Sequence, residues 1–211
     1  MFNLYPQFLK FVVWLYDVVN CGRDFEGTAT VSGIVLVVLI LTPVIVGFIL
    51  NLLERLEFKF FCYFFGYRVA FYIVNYATIA GTILHELSHT LFAFITGAKV
   101  TEVSFFDHDG EALGHIAYRP QGPFFLQAIQ HSLTACAPVI MGFAGVVITS
   151  YFFLTTTYGV WAQILLIYLG ISIINHSSMS SIDIKHYFQG IWAVSIPLFI
   201  AIFIFCRSTI S

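Results

Sequence analysis

Long apolar runs separated by short polar stretches dominate this chain. A membrane-spanning helix needs about 20 consecutive, mostly apolar residues. Residues 31–53 meet that length outright, and 69–96, 129–154, 160–174 and 191–205 read as further spans. The pattern predicts an all-α polytopic membrane protein with about five transmembrane helices. Residues 1–27 read as an N-terminal interfacial segment: Phe2–Asn20 is apolar and aromatic, but Pro6, Lys10 and Asp17 interrupt it. Tyr5, Trp14 and Tyr16 suit the headgroup level. Between the first two spans, Glu54–Arg68 mixes charges with Phe and Tyr, which predicts an interfacial turn. Gly97 is placed to end the second span.

The one long polar segment, 98–121, has a different period. Lys99–Phe106 and Ala112–Tyr118 partly alternate, and Asp107-His108-Asp109-Gly110 between them is turn material. This predicts a short β-hairpin at the membrane surface, because open strand edges are not tolerated in lipid. His108 and His115 on it are expected to be solvated. The whole of 1–211 reads as a single membrane-embedded domain.

Composition strengthens the membrane reading. The chain is 59% hydrophobic and 9% charged, with a mean hydropathy of +0.91. Soluble domains carry about 25% charged residues. A net charge of −2 gives no electrostatic footprint for nucleic acid. The expected surroundings are the lipid bilayer, in the cell (plasma) membrane, with the chain crossing it several times. Cys21, Cys62, Cys136 and Cys206 are scattered and suggest packing rather than a disulfide framework. Lys and Arg are shared almost evenly between alternate loops, so the positive-inside rule only slightly favours a cytoplasmic N-terminus.

The chemistry is concentrated in His85-Glu86-Leu87-Ser88-His89, an H-E-x-x-H pattern inside the second apolar run. Residues four apart on a helix lie one above the other, so the two imidazoles are spaced to share a metal ion. Glu86 is rotated by about 100° from His85. There it is a poor ligand but well placed to take a proton from a zinc-activated water. A catalytic zinc needs a third protein ligand. Asp183 is the only acidic residue after Glu111 and follows the fourth span. His176, and less so His131, are the rival donors. Asp183 also reads as an ordinary loop aspartate or a helix cap.

These residues resemble the site-2 protease family of intramembrane zinc metalloproteases. H-E-x-x-H sits in a spanning helix, and Asn175 and Asp183 have the separation found in that family's N-x-x-P-x-P-x-x-D-G segment. Gly97-Ala98-Lys99-Val100 and Ala137-Pro138 are also similar to family elements. Ser178 and Ser180 stand in the two proline positions, and Ile184 replaces the final glycine, as in a small divergent member. The resemblance implies Zn2+ held by His85, His89 and Asp183, Glu86 as general base, and Asn175 in substrate binding. It implies endopeptidase action on a membrane-protein substrate with a transmembrane helix. A zinc hydrolase acting on a lipid or small amphiphile needs the same groups, and a non-catalytic membrane scaffold is the third possibility.

Overall fold

A computed structural model describes residues 25–105, 114–155, 157 and 159–210. The expected interfacial helix, and the turn residues Asp107–Gly110 with His108, lie outside the described residues. The described chain is mostly helical, with one two-stranded sheet. Helix α1 runs over Phe25–Phe71, with Pro43 inside it and non-helical angles at Gly66 (φ 79°, ψ 163°). A π-helical turn follows at Tyr72–Tyr76, and α2 spans Ile79–Ile95. Strands β1 (Lys99–Ser104) and β2 (His115–Arg119) precede α3 (Phe124–Thr155), α4 (Val160–Asn175) and α5 (Ser181–Ile210).

Among the described residues, three helices are long and apolar enough to cross a membrane: Phe25–Tyr76, Phe124–Thr155 and Ser181–Ser208. The other two, α2 and α4, have 17 and 16 residues. At 1.5 Å per residue they reach about 25 Å, short of the roughly 30 Å hydrocarbon core.

Several expected boundaries move. Glu54–Lys59 is helical rather than a turn, because Glu, Arg and Lys favour helix and the first residue there to break it is Gly66. Glu57 accepts a hydrogen bond from the Asn175 amide at 2.9 Å, and Glu54 one from Ser178 at 3.4 Å. The expected span 69–96 is not one helix. Asn75 and Thr78 side chains bond the carbonyls of Phe71 and Val74 where the π-turn loosens the ladder. Helix α5 starts ten residues before the expected 191, so Asp183 lies in its first turn.

The chain divides into two compact units. One contains residues 25–42 and 193–210 of the described chain; in it Val31 and Cys206 are buried, packed with Val35 and Ile202. The other, Pro43–Trp192, holds the hairpin and all the candidate chemistry.

In the second unit the interior is small and polar and the exterior large and apolar. Ser88, Ser132, Thr134, Ser172, Ala93, Ala135 and Ala137 are buried, while Phe94, Phe143, Leu154 and Trp161 are exposed. Lipid tails are as apolar as Leu, so close backbone packing replaces the hydrophobic drive between helices. A Cβ on Gly81 would come within 1.9 Å of the Ser172 carbonyl oxygen. One on Gly190 would come within 1.9 Å of the Ala128 carbonyl oxygen.

Helix α2 ends as its sequence dictates. Gly97 takes φ +81°, and the Ala98 amide reaches back to the Ala93 carbonyl at 2.8 Å, a Schellman closure. The antiparallel hairpin follows, with a bulge between Val100 and Glu102. Gln130 on α3 is fully buried and ties both ends of this excursion together. Its Oε1 accepts from the Gln121 amide at 2.8 Å. Its Nε2 donates to the carbonyls of Thr96 (3.0 Å) and Gln121 (3.2 Å). Gln130→Leu should therefore destabilise the protein by about 2–4 kcal/mol, since buried polar groups left unpaired cost about 1–3 kcal/mol each. Thermal unfolding in detergent checks this; an unchanged midpoint would contradict the clamp.

Candidate metal centre

His85 and His89 lie one turn apart on α2 with their rings edge to face at 4.8 Å. Each ring is fixed by a main-chain carbonyl from another part of the chain. His85 Nδ1 donates to the His176 carbonyl at 2.6 Å, and His89 Nδ1 to the Thr134 carbonyl at 2.8 Å. A carbonyl only accepts, so these bonds put the proton of each neutral imidazole on Nδ1. Both Nε2 lone pairs then face each other at 3.2 Å. Two acceptors that close repel unless a cation lies between them.

Asp183 completes the group. Its Oδ1 is 3.7 Å from His89 Nε2, and the three donor atoms all lie within 4.8 Å of one another. Zinc bonds of about 2.0–2.2 Å in a tetrahedron put ligand atoms about 3.3 Å apart. The two nitrogens already have that separation. The two-imidazole, one-carboxylate donor set also suits a catalytic zinc with an open position.

The carboxylate is held by a capping box. Ser180 Oγ accepts from the Asp183 amide at 3.1 Å, and Asp183 Oδ2 accepts from the Ser180 amide at 2.9 Å. One oxygen thus anchors the side chain while the other reaches His89. Ser180 occupies one of the positions where the resembled family has proline. Here a reciprocal pair of hydrogen bonds, not a rigid ring, fixes the turn.

The other expected residues go elsewhere. His176 Nε2 contacts Thr78 Oγ1 at 2.8 Å, so this residue serves His85 through its carbonyl and not its ring. The Asn175 amide points to Glu57, and the structure does not bring it to the metal cavity. His131 lies against Tyr118 and His186, apart from the donor group.

A cavity of about 370 Å³ opens over the donor atoms, lined by His85, Glu86, His89 and Asp183. Glu86 is buried there, 8% exposed. Strand β2 makes one wall with Gly114, His115, Ile116 and Tyr118. A Cβ on Gly114 would be 2.8 Å from Glu86 Cγ, so the strand approaches the glutamate as closely as glycine permits. His115 is exposed as expected and lies 3.5 Å from Glu102, yet it also borders the cavity. Burial and the charge of Asp183 push the Tyr118 phenol up to about 12, which keeps it protonated at neutral pH. Tyr118 and His186 were missed from sequence. Two signals could have found them: His186 follows Asp183 by one helical step of three, and Tyr118 lies two residues from Ile116 on the same strand face.

Compared with known proteins, the chain matches no family model, no curated protein and no solved structure.

Four variants of the purified protein, assayed for bound zinc, test this arrangement. Asp183→Ala should lose the metal and Ser180→Ala should weaken its binding about 10-fold or more, by freeing the carboxylate. His176→Ala should keep full stoichiometry, because alanine retains the carbonyl; loss of zinc in that variant alone would make the ring a ligand. Gly81→Ala should also lose zinc and melt early, since the added methyl must separate α2 from Ser172 one turn before His85.

Proposed function

We propose that the unit Pro43–Trp192 is a zinc-dependent endopeptidase that hydrolyses peptide bonds in membrane-protein segments. The observation that carries this is the pair of Nε2 atoms 3.2 Å apart, with both Nδ1 atoms committed to carbonyls and the Asp183 carboxylate alongside. A bare pair of facing acceptors inside an apolar protein is costly without a cation. Zinc bound there would supply a Lewis acid that polarises a carbonyl and makes water acidic near neutral pH.

The chain's own groups divide the remaining work. Glu86 lies in the same cavity, adjacent in sequence to a ligand but not part of the donor group. It takes the proton from the attacking water and passes it to the leaving amine. The two carbonyl anchors hold the imidazoles in one tautomer and one orientation.

A transmembrane substrate helix must unwind locally, and its freed backbone groups then need partners. Strand β2 borders the cavity and could accept an added strand. In this reading the chain crosses the plasma membrane several times, with α2 and α4 as short members of a five-helix set, and the site opens toward the hairpin side.

The test is Glu86→Gln, which should keep its zinc and lose activity by at least about 100-fold, the scale of general-base catalysis. In cells, one or more membrane proteins should accumulate uncut. An unaltered membrane proteome would contradict the endopeptidase, and accumulation of a lipid species would move the substrate class to amphiphiles.

A further inference from the structure

The zinc donors and Glu86 leave one part of the cavity wall unexplained. Strand β2 has a two-residue period, so Ile116 and Tyr118 share a face, and Gly114 immediately precedes the strand. All three border the cavity. Gly114 presses on Glu86, and Tyr118 lies four residues further along. At about 3.3 Å per residue the Cα atoms of Gly114 and Tyr118 are about 13 Å apart. Glu86 and Tyr118 therefore meet the strand at opposite ends of the wall.

Tyr118 is not an isolated ring. Its hydroxyl lies 3.3 Å from His131 Nδ1 on α3. The His131 ring packs on His186 of α5 with centroids 5.0 Å apart, and Tyr118 meets His186 at 6.4 Å. Three ring side chains from three elements thus converge beside the donor group. Tyr118 and His186 border the cavity, while His131 stands behind them and does not. A phenol inside an apolar protein usually satisfies its hydroxyl. Here the hydroxyl can accept from His131 and still donate its own proton into the cavity.

We infer that Tyr118 is a further catalytic residue: its hydroxyl donates a hydrogen bond to the oxygen of the substrate carbonyl as that oxygen gains charge, and His131 is the positioning residue that aims it. This rests on the hydrolase reading and deepens it. Attack on a planar carbonyl moves an electron pair onto its oxygen, and the oxygen must be stabilised away from the base that takes the water's proton. Glu86 and Tyr118 border the same cavity from two different elements, α2 and β2. No proton leaves Tyr118; it donates a hydrogen bond throughout.

The experiment compares two probes on the zinc-loaded full chain in detergent: a peptide phosphinate, which is tetrahedral and anionic, and the matching planar peptide amide. Wild-type protein should bind the phosphinate far more tightly than the amide. Tyr118→Phe should weaken phosphinate binding by about 100–1,000-fold, in the range of a lost oxyanion donor, and leave amide binding within about twofold. His131→Leu should lose part of the same discrimination, and His131→Gln, which keeps a polar partner for the phenol, should restore it. Equal weakening of both probes, or an unchanged phosphinate affinity in Tyr118→Phe, would overturn the assignment while leaving the hydrolase reading intact. A wild-type protein that does not prefer the phosphinate would overturn both. Zinc stoichiometry checks that each variant is folded; should Tyr118→Phe lose its zinc, the His131 pair carries the test.

Discussion

Everything at the candidate centre depends on two hydrogen bonds in which imidazole N–H groups meet main-chain carbonyls. The carbonyls of His176 and Thr134 hold His85 and His89 from outside α2. A carbonyl cannot change partner the way a side chain changes rotamer. It moves only when its helix or loop moves. The tautomer of both rings, and hence the direction of both lone pairs, is therefore set by how α2 is packed. Any loosening of that packing turns the lone pairs away from each other.

The packing fits the membrane environment of the proposed function: the large side chains are outside and the interior is left to Gly, Ala, Ser and Thr, as expected where burying Leu or Phe between helices gains little. Gly81 and Gly190 remove the last atom that would hold helices apart. Close approach makes the polar groups reachable. Gly81 donates to Ser172 Oγ at 2.8 Å, and Ser172 in turn to the Thr78 carbonyl at 2.7 Å. The small residues that pack the unit also bring His176 under His85.

Much of this was legible in the sequence where a short-range rule governs. H-E-x-x-H puts two rings on one helix face by helical period alone. Gly97 ends α2 because only glycine takes that positive φ without strain. The hairpin strands follow from alternation. Ser180-x-x-Asp183 is a capping box that can be read directly; in the structure one oxygen of its aspartate accepts the cap bond and the other lies 3.7 Å from His89 Nε2. What could not be read depends on tertiary packing. Hydropathy does not reveal that Glu54–Lys59 continues a helix, since charge at an interface and charge on a long helix look alike. The π-turn at Tyr72–Tyr76 has no composition signal. Asn175 turns to Glu57, a residue far away in sequence. His176 looked like a ligand because of its imidazole, and it matters through its backbone.

The proposed centre holds its metal with two imidazoles and one carboxylate, with no thiolate and no third histidine. X-ray absorption at the zinc edge of the purified, zinc-loaded full chain tests this most directly. The expected spectrum shows two imidazole nitrogens and oxygen donors at about 2.0–2.2 Å. A sulfur at about 2.3 Å, a third imidazole, or a spectrum with no imidazole at all would contradict it.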